Sequence, residues 1–340
     1  MKNIYGYKYN DLENKLIQIN EKKYRAKQIY EWLYVHKELD FNKMTNLSKT
    51  TINNLTNNFI NDYIKIKKVQ ISEDTIKYLF ELKCGNLIEA VLLQHDYGNS
   101  ICVSSQVGCN IGCSFCASGK LKKIRNLESY EMVQQILLVE KETKRRISSV
   151  VIMGIGEPFD NYDNVMDFIR IINHPKGLAI GARHITVSTC GIIPKIKEFI
   201  LENIQVNLAL SLHAPNNELR SKLMKINEVY NIEELISTIN EYIKETNRRV
   251  TIEYVMLEHV NDNKKEALEL AKLLRGMNVY VNLIPYNETK VKVYKKSSMI
   301  RIRKFYNYLK KAGINVTIRK EFGSEIDAAC GQLRASEVEK

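Results

Sequence analysis

Between residues 101 and 286 strand-like runs and helical patterns alternate, and this alternation restricts the chain more than any other feature. Residues 101–106, 150–155, 184–189, 206–212, 250–257 and 279–286 are short strand-like runs. Between them, residues 129–143, 162–172, 195–202, 233–245 and 264–275 carry helical patterns. Strands that alternate with single helices run parallel, joined by crossovers. Six units are too few for an eight-stranded barrel, so the expected fold is α/β, an open or partial (β/α)6 barrel. A last helix at 299–312 and a strand at 315–319 follow. In a parallel barrel, functional residues gather just past the C-terminal strand ends.

Ahead of this core the pattern differs. Residues 22–36, with Ile29, Leu33 and Tyr34, and residues 47–60, with Ile52, Leu55 and Phe59, read as helices, and Ser48 is placed to cap the second. From Tyr63 the pattern becomes strand-like, over 63–69, 75–82 and 87–94. The expected division is a small N-terminal α+β domain over 1–95, a core over 96–323 and a short C-terminal segment over 324–340. No apolar run approaches the roughly 20 residues of a membrane helix, and the N-terminus lacks the apolar stretch of a secretory signal. A cytoplasmic protein without membrane contact is expected. The net charge of +12 suits a polyanion, whose counterions each contact releases; a merely solvated lysine-rich surface gives the same total.

Seven cysteines in a chain without an export signal argue against a disulfide framework. Four crowd one segment: Cys102, Cys109, Cys113 and Cys116. The last three follow a C-x3-C-x2-C spacing on the loop after the first barrel strand, with Gly112 letting the loop wrap tightly. Three thiolates so placed can ligate three irons of a cubane and leave the fourth iron open to the amino and carboxylate groups of an amino-acid-like ligand. Two other readings stand beside this one: a four-thiolate zinc site that includes Cys102, and buried structural cysteines. The spacing resembles the signature of radical S-adenosylmethionine enzymes, which implies a 4Fe-4S cluster and S-adenosylmethionine as cofactors, with Phe115 in the usual aromatic position.

Past the second strand come Gly154, Gly156, Glu157 and Pro158. Glycines there let backbone approach a ligand and Glu157 can receive an ammonium group; a plain turn is the alternative. The third strand ends at Ser188, the fourth at Ser211, Leu212 and His213, and the sixth runs into Asn287. Such neutral donors and acceptors suit ribose hydroxyls and a carboxylate. No phosphate-binding G-x-x-x-x-G-K-[ST] loop is present.

Four stretches together extend the resemblance: Cys102 through Cys109, Gly156 through Asn161, Ile180 through Thr189, and Ala328 through Leu333. In combination they resemble the bacterial dual-specificity RNA methyltransferases, from about Leu87 to Leu333. The resemblance implies methylation of adenine carbon 2 in 23S rRNA and in tRNA. It casts Cys330 as the methyl carrier, Cys102 as the thiol that resolves a covalent RNA adduct by forming a disulfide with Cys330, and Glu89 as the general base. It implies Gly156, Glu157, Ser188, Ser211, Leu212, His213 and Asn287 at the S-adenosylmethionine site, with two such molecules consumed per turnover. An electron donor such as flavodoxin and a monomeric state are expected. Cys84 and Cys190 match no role and read as structural.

The loop after Cys116 departs from the family pattern, with Lys120, Lys122, Lys123 and Arg125 where relatives usually carry a glycine pair. Phe322, Gly323 and Asn110 resemble the sister enzymes that methylate carbon 8 and confer antibiotic resistance, whereas Pro158 through Asn161 side with the carbon-2 group. A non-catalytic zinc RNA-binding module is the alternative from another class. Lys22, Lys23, Arg25, Lys27, Lys290, Lys292, Lys295 and Lys296 are expected phosphate contacts, and Tyr24, Tyr30, Trp32 and Tyr34 offer stacking surfaces that mostly belong to the core.

Overall fold

The computed structural model describes residues 1–288, 293–320 and 326. It opens with helices α1 (Tyr9–Gln18), α2 (Arg25–Tyr30), which continues as a π-helical turn over Glu31–Val35, and α3 (Lys49–Asn58). Strands β1 (Lys65–Ile71), β2 (Thr75–Glu81), β3 (Leu87–His95) and β4 (Gly98–Cys102) follow, then a small ribbon of β5 (Gln106–Val107) and β6 (Arg125–Asn126). From there helices and strands take turns: α4 (Ser129–Thr143), β7 (Ile147–Ile152), α5 (Tyr162–Asn173), β8 (Ile185–Thr189), α6 (Ile193–Leu201) and β9 (Asn207–Ser211). Helices α7 (Asn217–Leu223) and α8 (Ile232–Thr246) precede β10 (Val250–Met256). The series ends with α9 (Lys264–Leu273), β11 (Val279–Pro285), α10 (Met299–Lys311) and β12 (Val316–Ile318).

Ten strands form one sheet in the order β1-β2-β3-β4-β7-β8-β9-β10-β11-β12. Pairs from β4 onward are parallel, which gives the expected partial barrel, while β1 to β4 pair antiparallel. The turn between β3 and β4 lies at residues 96 and 97, and hydrogen bonding continues across it. The hairpin thus covers an edge of β4 that would otherwise be open. The strand expected over 101–106 runs instead over 98–102, starting three residues earlier and ending four residues earlier. Pairing of β4 ends at Cys102 because the backbone beyond is claimed elsewhere: Ser104 N–H donates to Gln135 Oε1 (2.9 Å), and Ser105 and Gln106 N–H both donate to the Ile155 carbonyl.

The register sorts side chains onto two faces, since residues paired across strands point the same way and neighbours along a strand point oppositely. On one face, Ile101, Val150 and Ile185 form one row, Ile152, Val187, Leu208, Val250 and Val279 the next, and Leu210, Ile252 and Val281 a third. These are buried in the main core against the outer helices. The opposite row runs from Val91 through Cys102, Val151, Thr186 and Asn207, then from Ser188 through Ala209 to Thr251, and from Ser211 through Glu253 and Asn282 to Thr317. That row is the polar lining of the barrel.

The N-terminal helices dock on the outer layer. Ile29, Tyr30, Leu33 and Tyr34 are buried, Lys8 Nζ pairs with Asp167 of α5 at 2.9 Å, and Tyr9 stacks on His174 at 4.5 Å. Ser48 Oγ caps α3 by accepting the Thr51 N–H at 3.1 Å. Among the described residues no helix is long and apolar enough to cross a membrane.

Candidate active site

Parallel pairing puts the C-terminal ends of β4, β7, β8, β9, β10 and β11 at one mouth, and the loops there carry most of the residues singled out by sequence. The cysteine loop follows β4 and is anchored on both sides. Ser114 N–H donates to the Leu223 carbonyl of α7 at 2.9 Å, and Ser114 Oγ meets Tyr294 Oη at 2.8 Å. Gly119 has no room for a side chain, because a Cβ there would lie 2.7 Å from the Cys113 carbonyl oxygen. Burial lifts the Cys109 thiol to about 12, with the adjacent Cys116 adding to the shift. Cys113 is pushed well above its ordinary value by burial first, then by Cys116 and Cys109. Three mutually interacting, partly desolvated thiols are a donor set that binds soft metal centres.

Cys109, Cys113 and Cys116 lie on one loop and feel one another's charge, and three thiolates of one loop suit a cubane, which takes one on each of three irons.

Beside this loop the segment after β7 is locked to the segment after β4. Gly154 N–H donates to the Val103 carbonyl, Ile155 N–H to Ser104 Oγ (2.9 Å) and Glu157 N–H to Gln106 Oε1 (2.9 Å). Gly156 has φ +111°, a region that side-chain-bearing residues rarely enter, and a Cβ there would lie 2.6 Å from Gln106 Cβ. Gly156→Ala is accordingly expected to destabilise the fold by about 1–3 kcal/mol, read as a lower urea midpoint at unchanged slope.

Glu157 is buried, and its carboxylate accepts from Phe159 N–H (3.0 Å), Thr189 Oγ1–H (2.7 Å) and Cys190 N–H (2.8 Å). Burial raises its pKa while these hydrogen bonds pull it back. The carboxylate thus ties the end of β8 to the loop after β7.

His213 sits at φ +58°. Its Nδ1 accepts the Val255 N–H at 3.0 Å, and its ring meets Phe115 edge-on at 4.8 Å. Burial first, and the nearby Arg220 second, depress its pKa to about 3. The imidazole is therefore neutral, and because Nδ1 is an acceptor the proton resides on Nε2, a fixed neutral donor. Leu212 turns its side chain into the core, leaving only its backbone for a ligand. Ser188 and Ser211 lie on the polar lining (see the register above), and Asn287 is exposed just past β11.

The register brings Glu89 and Cys102 together. Val91 pairs with Cys102, and Glu89, two residues before Val91, points the same way. Glu89 is 3% exposed and its carboxylate lies 3.6 Å from the ammonium of Lys77, itself fully buried on the same face of β2. Ser104 Oγ–H holds the Glu89 carbonyl at 2.6 Å. Cys330, the other thiol expected at this site, lies outside the described residues, as do Phe322, Gly323, Lys290 and Lys292.

Several residues of the mouth escaped the sequence reading. Glu253 is buried on the lining, with Asn282 Nδ2–H donating to it at 2.9 Å; both stand out as polar residues inside apolar strands, a signal available from alternation alone. Lys77 is of the same kind. Gln106 joins the Glu157 backbone, Asn126 and Asp160, and nothing local in the sequence marks it. In the loop that departs from the family pattern, Lys123 pairs with Asp160 (2.8 Å) and Arg125 with Glu131 (2.7 Å), while Lys120 and Lys122 are exposed. Cys190 is buried, whereas Cys84 is an exposed turn residue whose thiol accepts from Arg125 at 3.3 Å.

Comparison with known proteins agrees with this geometry. Residues 103–271 match the radical SAM superfamily, and residues 2–60 match the ribosomal RNA large subunit methyltransferase N-terminal domain. A probable dual-specificity RNA methyltransferase RlmN from Acholeplasma laidlawii is 56% identical over 98% of this chain and 99% of its own. One from Listeria monocytogenes is 54% identical over 99% of this chain and 94% of its own. The crystal structure of a radical SAM methyltransferase from Sphaerobacter thermophilus superimposes with a TM-score of 0.93 at 42% identity, covering 98% of this chain and 99% of that one. The chain is a member of the RlmN family of radical SAM, dual-specificity RNA methyltransferases.

Proposed function

We propose that this enzyme methylates carbon 2 of a specific adenine in 23S rRNA and in tRNA, using Cys330 as the methyl carrier. The observation that carries the reading is the shared face of Glu89 and Cys102. Carbon 2 of adenine lies between two ring nitrogens and is too electron-poor to attack a sulfonium methyl, so the transfer calls for a radical route. Bound at Cys109, Cys113 and Cys116, a 4Fe-4S cluster with S-adenosylmethionine supplies that route by one-electron cleavage of the sulfonium. Glu157, the backbone of Gly156 and Leu212, the side chains of Ser188 and Ser211, the Nε2–H of His213, and Asn287 offer the polar contacts for S-adenosylmethionine.

The chain's own part begins with the Cys330 thiol, which accepts a methyl group from a first S-adenosylmethionine. After a hydrogen atom is lost from the S-methyl group to the 5′-deoxyadenosyl radical, that carbon bonds to the adenine ring, tethering RNA to the Cys330 sulfur as a ring radical. The ring radical gives up one electron, for which the oxidised cluster would be the acceptor, and Glu89 takes the proton from ring carbon 2; burial beside Lys77 keeps the carboxylate in a fixed place for this task. The Cys102 thiolate attacks the Cys330 sulfur, the S–C bond breaks, and the released carbon is protonated to a methyl group. The two thiols leave as a disulfide that an external reductant must open. Exposed Lys22, Lys23 and Lys27 on the N-terminal helical unit are proposed phosphate contacts, in keeping with the excess positive charge. We place the division of labour at an N-terminal RNA-binding part over 1–95, a barrel over 96–323 and a catalytic segment over 324–340, in a cytoplasmic monomer reduced by a flavodoxin-like donor.

The test is chromatography and mass spectrometry of nucleosides from 23S rRNA and tRNA modified in vitro. C2-methylated adenosine from both substrates is the expected product. Methylation at carbon 8 would replace the regiochemistry and keep the rest of the reading.

A further inference from the structure

The largest fully buried side chain among the described residues is Arg220, on α7, with no exposed surface at all. Its guanidinium donates to neutral acceptors only: Nη2 to the Cys190 carbonyl (2.6 Å), and Nη1 to Asn227 Oδ1 (3.1 Å) and, more weakly, the Tyr230 carbonyl (3.4 Å). Nε has no partner, and no carboxylate of the described residues forms an ion pair with it. A buried, uncompensated guanidinium costs several kcal/mol, so a fold that retains one is expected to meet it with negative charge at some stage of its working cycle.

The place where such charge would arise is adjacent. The C-terminal end of α7 is the anchor of the cysteine loop, through Ser114 and the Leu223 carbonyl, and Cys113 and Phe115 pack against the same small cluster as Leu223 and Met224. Three thiolates outweigh the positive charge of a cubane core, and the electron taken up on reduction adds to the excess.

We infer that Arg220 is a positioning residue for charge: its buried guanidinium, behind the Cys113 loop and unpaired by any carboxylate of the described residues, offsets the negative charge of a three-thiolate cluster and favours its reduced state. Lysine at this position keeps the charge and loses hydrogen bonds; glutamine keeps part of the hydrogen bonding and loses the charge. The two substitutions therefore separate electrostatics from stapling of the Cys190 turn. The inference rests on the proposed cluster.

The experiment is a redox titration of anaerobically loaded holoenzyme, followed by the electron paramagnetic resonance of the reduced cluster, in wild type, Arg220→Gln and Arg220→Lys. Arg220→Gln is expected to be at least tenfold harder to reduce, a shift of about 59 mV for one electron, and Arg220→Lys to recover most of that loss. Thermal unfolding of metal-free and loaded forms is measured alongside. A metal-free Arg220→Gln that keeps its fold but takes up no iron, while Arg220→Lys does, also supports the inference. A midpoint unmoved by Arg220→Gln overturns it. So does a metal-free Arg220→Gln that is unfolded, or one destabilised as much as the loaded form, since the guanidinium would then be a structural staple. A wild type that binds no iron would instead remove the proposed cluster, and this inference with it.

Discussion

Cys102→Ala is expected to leave RNA covalently attached to the protein, visible as a species of raised mass that survives denaturing electrophoresis. The reason lies in the order of events proposed above. Steps up to the adduct use the cysteine loop and Cys330, proton removal from the adduct uses Glu89, and only release of the RNA uses the Cys102 thiolate. The side chain at the end of β4 is partly accessible and shares a face with Glu89, so its loss removes a nucleophile without disturbing the apolar layer behind the sheet. Multiple turnover should fall by a factor on the order of 10^3 or more, as when a covalent intermediate loses the group that resolves it. The double variant Cys102→Ala, Cys330→Ala should show neither adduct nor product. A Cys102→Ala protein that turns over normally would refute the resolving role.

The second large effect concerns the loop itself. Cys113→Ala should abolish iron uptake and, with it, both methyl transfer and formation of 5′-deoxyadenosine, while the metal-free protein stays folded within about 1 kcal/mol of wild type. Iron analysis and urea unfolding check the two halves separately. Cys190→Ala provides the contrast, because that cysteine is buried outside the loop and its replacement should leave iron uptake intact. Loss of iron from Cys190→Ala with retention in Cys113→Ala would invert the assignment of ligands.

Much of this architecture is legible in the sequence because the barrel's physics is written in period and composition. A strand buried under helices on one side and lining a polar interior on the other alternates, and residues 184–189 and 206–212 do so cleanly, matching β8 and β9 to within a residue or two. The cysteine spacing is equally local. What is not legible depends on groups distant in sequence. The early end of β4 follows from a side chain on α4, Gln135, which takes the backbone of Ser104 in both directions. Arg220 looks like a surface arginine on a short polar helix, and its burial follows from groups distant in sequence, with the guanidinium held by the Cys190 carbonyl and by Asn227. Lys77 stands out by alternation as a polar residue in an apolar strand, but that the lining of the barrel encloses it beside Glu89 is not local information. Charged residues at apolar density in a strand or helix are thus the places where tertiary structure overrides the local pattern.

The antiparallel hairpin of β2 and β3 also has a functional meaning that its sequence does not announce. By extending the barrel sheet past β4 it brings Glu89 onto the same lining as Ser188, Ser211 and Glu253. An accessory unit joined by a flexible linker could not hold a proton acceptor so firmly.

The central claim is that Cys109, Cys113 and Cys116 hold a cubane with one iron open to S-adenosylmethionine. Its most direct test is anaerobic isolation followed by iron and sulfide analysis and incubation with S-adenosylmethionine under reducing conditions. The account predicts a brown protein with about four irons per chain that releases 5′-deoxyadenosine. Colourless protein carrying stoichiometric zinc and forming no 5′-deoxyadenosine would contradict it.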